Sequence, residues 1–84
     1  MDSNEDNRKD DRAEQYKKIG LNIAFYRKLK GLTQMQLAEQ VGISRTHMSN
    51  IEAPAMVTTM SIDVLLSIAE ALEIEPYKLL VMRE

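Results

Sequence analysis

From residue 19 to residue 80 the apolar positions recur every three or four residues, and no segment alternates convincingly as a strand. Ile19, Ile23, Tyr26 and Leu29 or Lys30 lie on one helical stripe, and Gly31 stops it. Asp11 and Glu14 have capping-box spacing, which sets the start of this first helix. Residues 1–12 read as a polar, mobile N-terminal tail ahead of one domain over 13–84. Thr33 caps a second helix, Gln34 to about Val41, with Leu37, Ala38 and Val41 inward and Gly42 at its end. Ser44 caps a third, Arg45 to Glu52. "APAMVTTM", residues 53–60, reads as a loop because of Pro54 and the β-branched Val57, Thr58 and Thr59. Ser61 caps a fourth helix, Ile62 to about Leu72, with Ile62, Leu65, Leu66, Ile68, Ala69 and Leu72 largely inward. Pro76 opens a fifth, whose apolar face is Tyr77, Leu79, Leu80 and Met82. The expectation is a compact all-α domain of five helices.

The third of these helices is out of character. Ser, Thr and Asn compete with the backbone for hydrogen bonds and are weak in helix interiors. On a wheel of 100° per residue, Met48 and Ile51 fall together, flanked by His47 and Glu52. Arg45, Thr46, Ser49 and Asn50 share the opposite face. The segment is therefore a short helix with one anchored face and one polar face. All four polar side chains suit hydrogen bonding to base edges: Arg to guanine, Asn to adenine, Ser and Thr to several.

Charge supports this only when it is resolved along the chain. The 84 residues carry a net charge of −2, which argues against a nucleic-acid partner. Residues 1–15 hold three basic and six acidic residues, −3. Residues 16–52 hold six basic (Lys17, Lys18, Arg27, Lys28, Lys30, Arg45) and two acidic (Glu39, Glu52), +4. Residues 53–84 hold two basic and five acidic, −3. The basic segment is the one that contains the polar-faced helix, and the position of charge matters more than its total.

Composition removes other classes. There is no cysteine, so neither disulfides nor thiolate metal sites arise, and one histidine does not make a metal centre. His47 borders the core and the polar face, where packing or a backbone contact is its expected role. No run of about 18 apolar residues exists, which implies no membrane partner and a cytoplasmic setting. There is no Gly-rich phosphate loop and no cluster of acids, so an enzyme, a cofactor or a small-molecule ligand is not expected. The six methionines read mainly as core filler, with Met56 and Met60 placed for an interface.

Two short helices, a turn with Gly42 and the polar-faced helix form a helix-turn-helix pattern. The stretches "IAFYRKLKGLTQMQLAEQVGISRTHMSNIE" and "SIDVLLSIAEALEIEPYKLL" resemble the Xre/Cro-type helix-turn-helix regulators, which include lambdoid phage repressors. The resemblance spans roughly residues 16–81 and implies the lambda-repressor-like fold, with helices 2 and 3 as the helix-turn-helix. It implies a transcriptional regulator, a repressor by preference, that binds double-stranded DNA. Gln34 is then expected to contact a phosphate, and Ser44 to cap the reading helix and touch the DNA backbone. Arg45, Thr46 and Asn50 are expected to reach base edges, with Ser49 at either. Arg27 and Glu52 are expected to form a structural ion pair. Relatives commonly place basic residues where this chain has the uncharged 53–60 loop, so a basic phosphate clamp is missing here.

One reading helix covers too few base pairs to single out a genomic site, so a homodimer on a palindromic operator is expected. Tyr77, Leu80 and Met82 are the expected dimer interface. The chain as given leaves no room for an effector domain. That suits a phage-type repressor, a toxin-linked antitoxin or a restriction-system controller equally. The alternative is a protein-interaction module on the same fold, docking a protein partner through the 53–60 loop or helix 5.

Overall fold

A computed structural model describes the backbone of residues 3–81 and the side chains of residues 12–81. Four α-helices are followed by one 3-10 helix: α1 (Ser3–Lys30), α2 (Gln34–Val41), α3 (Arg45–Glu52), α4 (Ile62–Leu72) and the 3-10 segment (Pro76–Leu80). Four boundaries fall where caps place them. The Thr33 hydroxyl accepts from the Gln36 amide while the Gln36 side chain accepts from the Thr33 amide, a complete capping box. Ser44 and Ser61 accept from the amides of His47 and Val64. Gly42, at φ 86°, takes the left-handed turn that ends α2.

Two expectations are corrected. The first helix does not begin at Asp11. It runs from Ser3, so the residues expected as a tail continue α1, while Met1 and Asp2 lie outside the described residues. The physical reason is that no Gly or Pro interrupts residues 1–19, and polarity alone does not stop a helix. The fifth helix is also not an α-helix but the five-residue 3-10 segment. Pro76 removes an amide donor, and Glu75 supplies no side-chain cap. The buried Asn22 then donates to the carbonyl oxygens of Leu79, at 3.0 Å, and Val81, at 2.8 Å. Those carbonyls are held by a side chain rather than by a further helical turn.

The core is shared evenly. Ile23, Leu37, Met48, Ile68 and Leu79 are fully buried, one from each element in chain order. Along α4, Leu65, Ile68, Ala69 and Leu72 follow i, i+3, i+4, i+7 and fill the inward stripe. Ile62 and Leu66, expected inward, stand outside it at 71% and 47% exposure. Leu29 likewise leaves the α1 stripe and is exposed. Of the described methionines only Met48 reaches the core; Met60 is half-buried, and Met35 and Met56 are half-exposed. No strand occurs among the described residues, and none of their helices is long and apolar enough to cross a membrane.

α3 is fastened to α1 at two points. A Cβ added to Gly20 would lie 2.1 Å from the carbonyl oxygen of Ile51, so the two backbones meet without an intervening side chain. Seven residues on, Arg27 pairs with Glu52. Its Nε donates to Oε2 at 2.7 Å and its Nη2 to Oε1 at 2.9 Å, with both residues buried. The third nitrogen, Nη1, donates to the Leu32 carbonyl at 2.7 Å. The expected ion pair is thus present, bidentate and almost dry.

Both fastenings are testable by denaturant unfolding. Gly→Ala inside a helix ordinarily stabilises by about 1 kcal/mol. Gly20→Ala is expected to do the opposite and lose about 1–3 kcal/mol, because backbone must move. A midpoint at or above wild type would refute the close approach. Arg27→Met is expected to lose about 3–5 kcal/mol by stranding a buried carboxylate. Arg27→Met combined with Glu52→Leu should recover most of that loss, and a double variant no better than the single would contradict the pairing.

Candidate nucleic-acid interface

The outer face of α3 is built from its ends inward. At the N-terminus the Ser44 hydroxyl, 3.0 Å from the His47 amide nitrogen, accepts its hydrogen bond and fixes where the helix starts. Met48, Ile51 and Glu52 turn inward and are buried. The remaining positions follow from helical geometry. Arg45 and Thr46 are exposed, and Ser49 and Asn50 are half-exposed on the same side. His47 is half-buried at the border between the two faces. The four polar residues singled out from the sequence therefore share one surface. Ser49 and Asn50 are partly covered.

α2 adds the N-terminal end of the motif. Gln34 is its first residue, and the side chain does not simply point to solvent. Its Nε2 donates to Glu52 Oε1 at 3.0 Å. Glu52 consequently accepts from both Arg27 and Gln34, and α1, α2 and α3 meet at one carboxylate. This link was not read from the sequence, where Gln34 was expected only as a phosphate contact. The first-turn amides of α2 remain the groups there that helix geometry leaves without an intrahelical partner, apart from the Gln36 amide held by Thr33. Gly20 and Asn22 were also missed. A glycine in the middle of a helical pattern, penalised by about 1 kcal/mol, was the available signal of a packing reason.

Electrostatics are more local than the charge count suggested. Arg27 is neutralised within the core by Glu52. Lys17 lies 3.6 Å from Glu14 one turn earlier. Lys30 donates to the carboxylate of Glu73, the residue that ends α4 in the left-handed conformation at φ 59°. That hydrogen bond, helped by the charge of Lys30, holds the Glu73 carboxyl below its ordinary range. The sign follows: its contribution is complete above the ordinary carboxylate value and fades as pH falls through the lowered one. Lys18, Lys28 and Arg45 make no ion pair among the described residues, and Arg45 alone of them stands on the α3 face. The loop after α3 exposes Met56 and Val57 and adds no charge. Tyr77 and Leu80, the expected dimer contacts, are exposed, whereas Met82 lies outside the described residues.

A short helix carries four hydrogen-bonding side chains on its open face, its inner face packed on the core, beside the N-terminus of a second helix. Comparison with known proteins agrees with that geometry. A search of curated protein sequences finds no match. Among solved structures the chain is similar to the restriction-modification controller protein C.AhdI from Aeromonas hydrophila, known from a high-resolution crystal structure. The two share 33% identity at a TM-score of 0.70, over 76% of this chain and 94% of that one. Residues 20–82 match the family described as a helix-turn-helix domain, a span that takes in α2, the Gly42 turn and α3. The chain belongs to the helix-turn-helix domain family and is a DNA-binding transcriptional regulator.

Proposed function

We propose that this regulator reads the major groove of double-stranded DNA with α3, as a homodimer on a palindromic operator. The observation that carries this reading is the division of α3. Met48, Ile51 and Glu52 are locked inward, while Arg45, Thr46, Ser49 and Asn50 share the open face. Arg45 is assigned to guanine, Asn50 to adenine, and Thr46 and Ser49 to base edges or flanking phosphates. Ser44 and the first turn of α2 at Gln34 are assigned to phosphates, which set the register but not the sequence. Because Gln34 also holds Glu52, its removal acts on the posture of α3 as well as on the phosphate.

Two copies follow from specificity. At about 1–3 kcal/mol per good base contact, the few contacts of one helix do not single out a genomic site. Two helices on half-sites about one turn apart do. Likeness to C.AhdI favours a controller of a restriction-modification system over a phage repressor or an antitoxin. Occlusion of a promoter by the bound dimer, hence repression, is the mode that needs nothing beyond the DNA contacts themselves. A second reading, a protein-interaction module, has one observation in its favour: the uncharged loop that exposes Met56 and Val57.

Selection of bound sites from random DNA tests the reading. A palindromic consensus is expected. A folded protein that enriches no sequence would overturn it. Arg45→Ala should relax specificity at one position per half-site, at about 1–3 kcal/mol for the preferred base. Gln34→Ala should weaken all sites about equally. Binding should also fall steeply from low to moderate salt, whereas an apolar protein contact would barely change.

A further inference from the structure

α1 carries a second apolar face that the core does not use. Leu21, Phe25 and Leu29 follow one another every four residues and are 50%, 48% and 72% exposed. Residues four apart on a helix are neighbours, so the three form one stripe. Gly20 and Arg27, the α1 residues that meet α3, lie together on the helical wheel. The stripe stands about 100–180° round from them, so it looks away from α3. Phe25 is set edge-on to Tyr26, with ring centroids 5.1 Å apart. Beside it lies an open hollow lined by Lys18, Leu21, Asn22 and Phe25. The floor of that hollow is fixed, because the buried Asn22 amide is engaged by the carbonyls of Leu79 and Val81. A continuous apolar patch with a polar rim is the ordinary mark of a contact site.

Charge says which kind of contact. Lys18 and Lys28 stand on the stripe's side of α1, one toward each end, and neither makes an ion pair among the described residues. Glu14, one turn earlier, is matched by Lys17. Two copies of the stripe laid together would set like charges against each other, which disfavours self-pairing. A helix with apolar residues at three-and-four spacing and carboxylates at their borders fits both the stripe and its cations. We propose that the Leu21–Phe25–Leu29 stripe docks an acidic amphipathic helix of a partner protein, with its carboxylates over Lys18 and Lys28. Since the stripe and α3 face different ways, the partner and DNA are held at the same time. The site differs from the uncharged 53–60 loop and does not depend on how α3 reads DNA.

Amide chemical-shift titration of the full chain tests this with two synthetic helical peptides. One carries leucines at three-and-four spacing with glutamates at their borders; the other has lysine in place of each glutamate. The glutamate peptide is expected to shift the amides of Leu21, Phe25 and Leu29, to leave those of Arg45 and Asn50 in place, and to bind about tenfold tighter than the lysine peptide. Leu29→Ser, at the most exposed of the three sites, should weaken it about fivefold, and Glu39→Ala on α2 should change nothing. Lys18→Glu combined with Lys28→Glu should reverse the preference between the peptides, with circular dichroism verifying the fold. Should that variant unfold, Lys18→Gln with Lys28→Gln removes the cations alone and should erase the preference. Equal affinity of wild type for both peptides, binding of neither, or shifts centred on α4 or the 53–60 loop would overturn the inference. So would shifts of the stripe amides on concentrating the protein alone, which would put a second copy there. Binding of phosphatidylglycerol vesicles in place of the glutamate peptide would overturn it as well. Protein saturated with the glutamate peptide should keep its affinity for DNA, and release of DNA by the peptide would contradict simultaneous binding.

Discussion

The bidentate pair between Arg27 and Glu52 joins the last turn of α1 to the last residue of α3, where an eight-residue helix would otherwise fray. Helices shorter than about 12–15 residues are marginal in water even with good helix formers. α3 has weak ones. Its stability therefore comes from outside: the Ser44 cap at one end, Met48 and Ile51 in the core, and the Glu52 carboxylate at the other end. Gln34 brings α2 to the same carboxylate, and Gly20 lets the backbone of α1 close on Ile51. Since the inner face and both ends carry the fold, the outer face is released from any structural duty. That is why it can be so polar.

The same pair explains why the charge pattern is a poor guide to the surface. Arg27 is counted among the basic residues of the middle segment, but it is internal and neutralised. Lys17 and Lys30 are matched by Glu14 and Glu73. Of the cations of the middle segment, Lys18, Lys28 and Arg45 make no ion pair among the described residues, and only Arg45 of these lies on α3. The loop after α3 adds no charge to this set.

How far these features were legible depends on whether their cause is local. The limits of α2, α3 and α4 were readable because Thr33, Ser44 and Ser61 are adjacent to the helices they cap, and Gly42 ends α2 by its own conformation. The polar face of α3 was readable because helical periodicity alone sorts eight residues into two sides. The start of α1 was not, since composition suggested a tail where nothing breaks a helix. Ile62 and Leu66 were placed inward because hydropathy reports a preference for burial, not the presence of a neighbour to bury against. Asn22 holding the carbonyls of Leu79 and Val81, and Gln34 reaching Glu52, join residues far apart in sequence. No pattern along the chain announces them. The resemblance to a regulator family anticipated the Arg27–Glu52 pair, but not that Gln34 completes it.

Native-state amide hydrogen exchange of wild type and Glu52→Gln tests most directly whether α3 is held from outside. In wild type the amides of Met48, Asn50 and Ile51 should exchange only with global unfolding, alongside those of Ile23 and Ile68. In Glu52→Gln the α3 amides should open at lower free energy while Ile23 and Ile68 stay protected for longer. Equal protection of α3 and the core in the variant, or early exchange of α3 in wild type, would contradict the account.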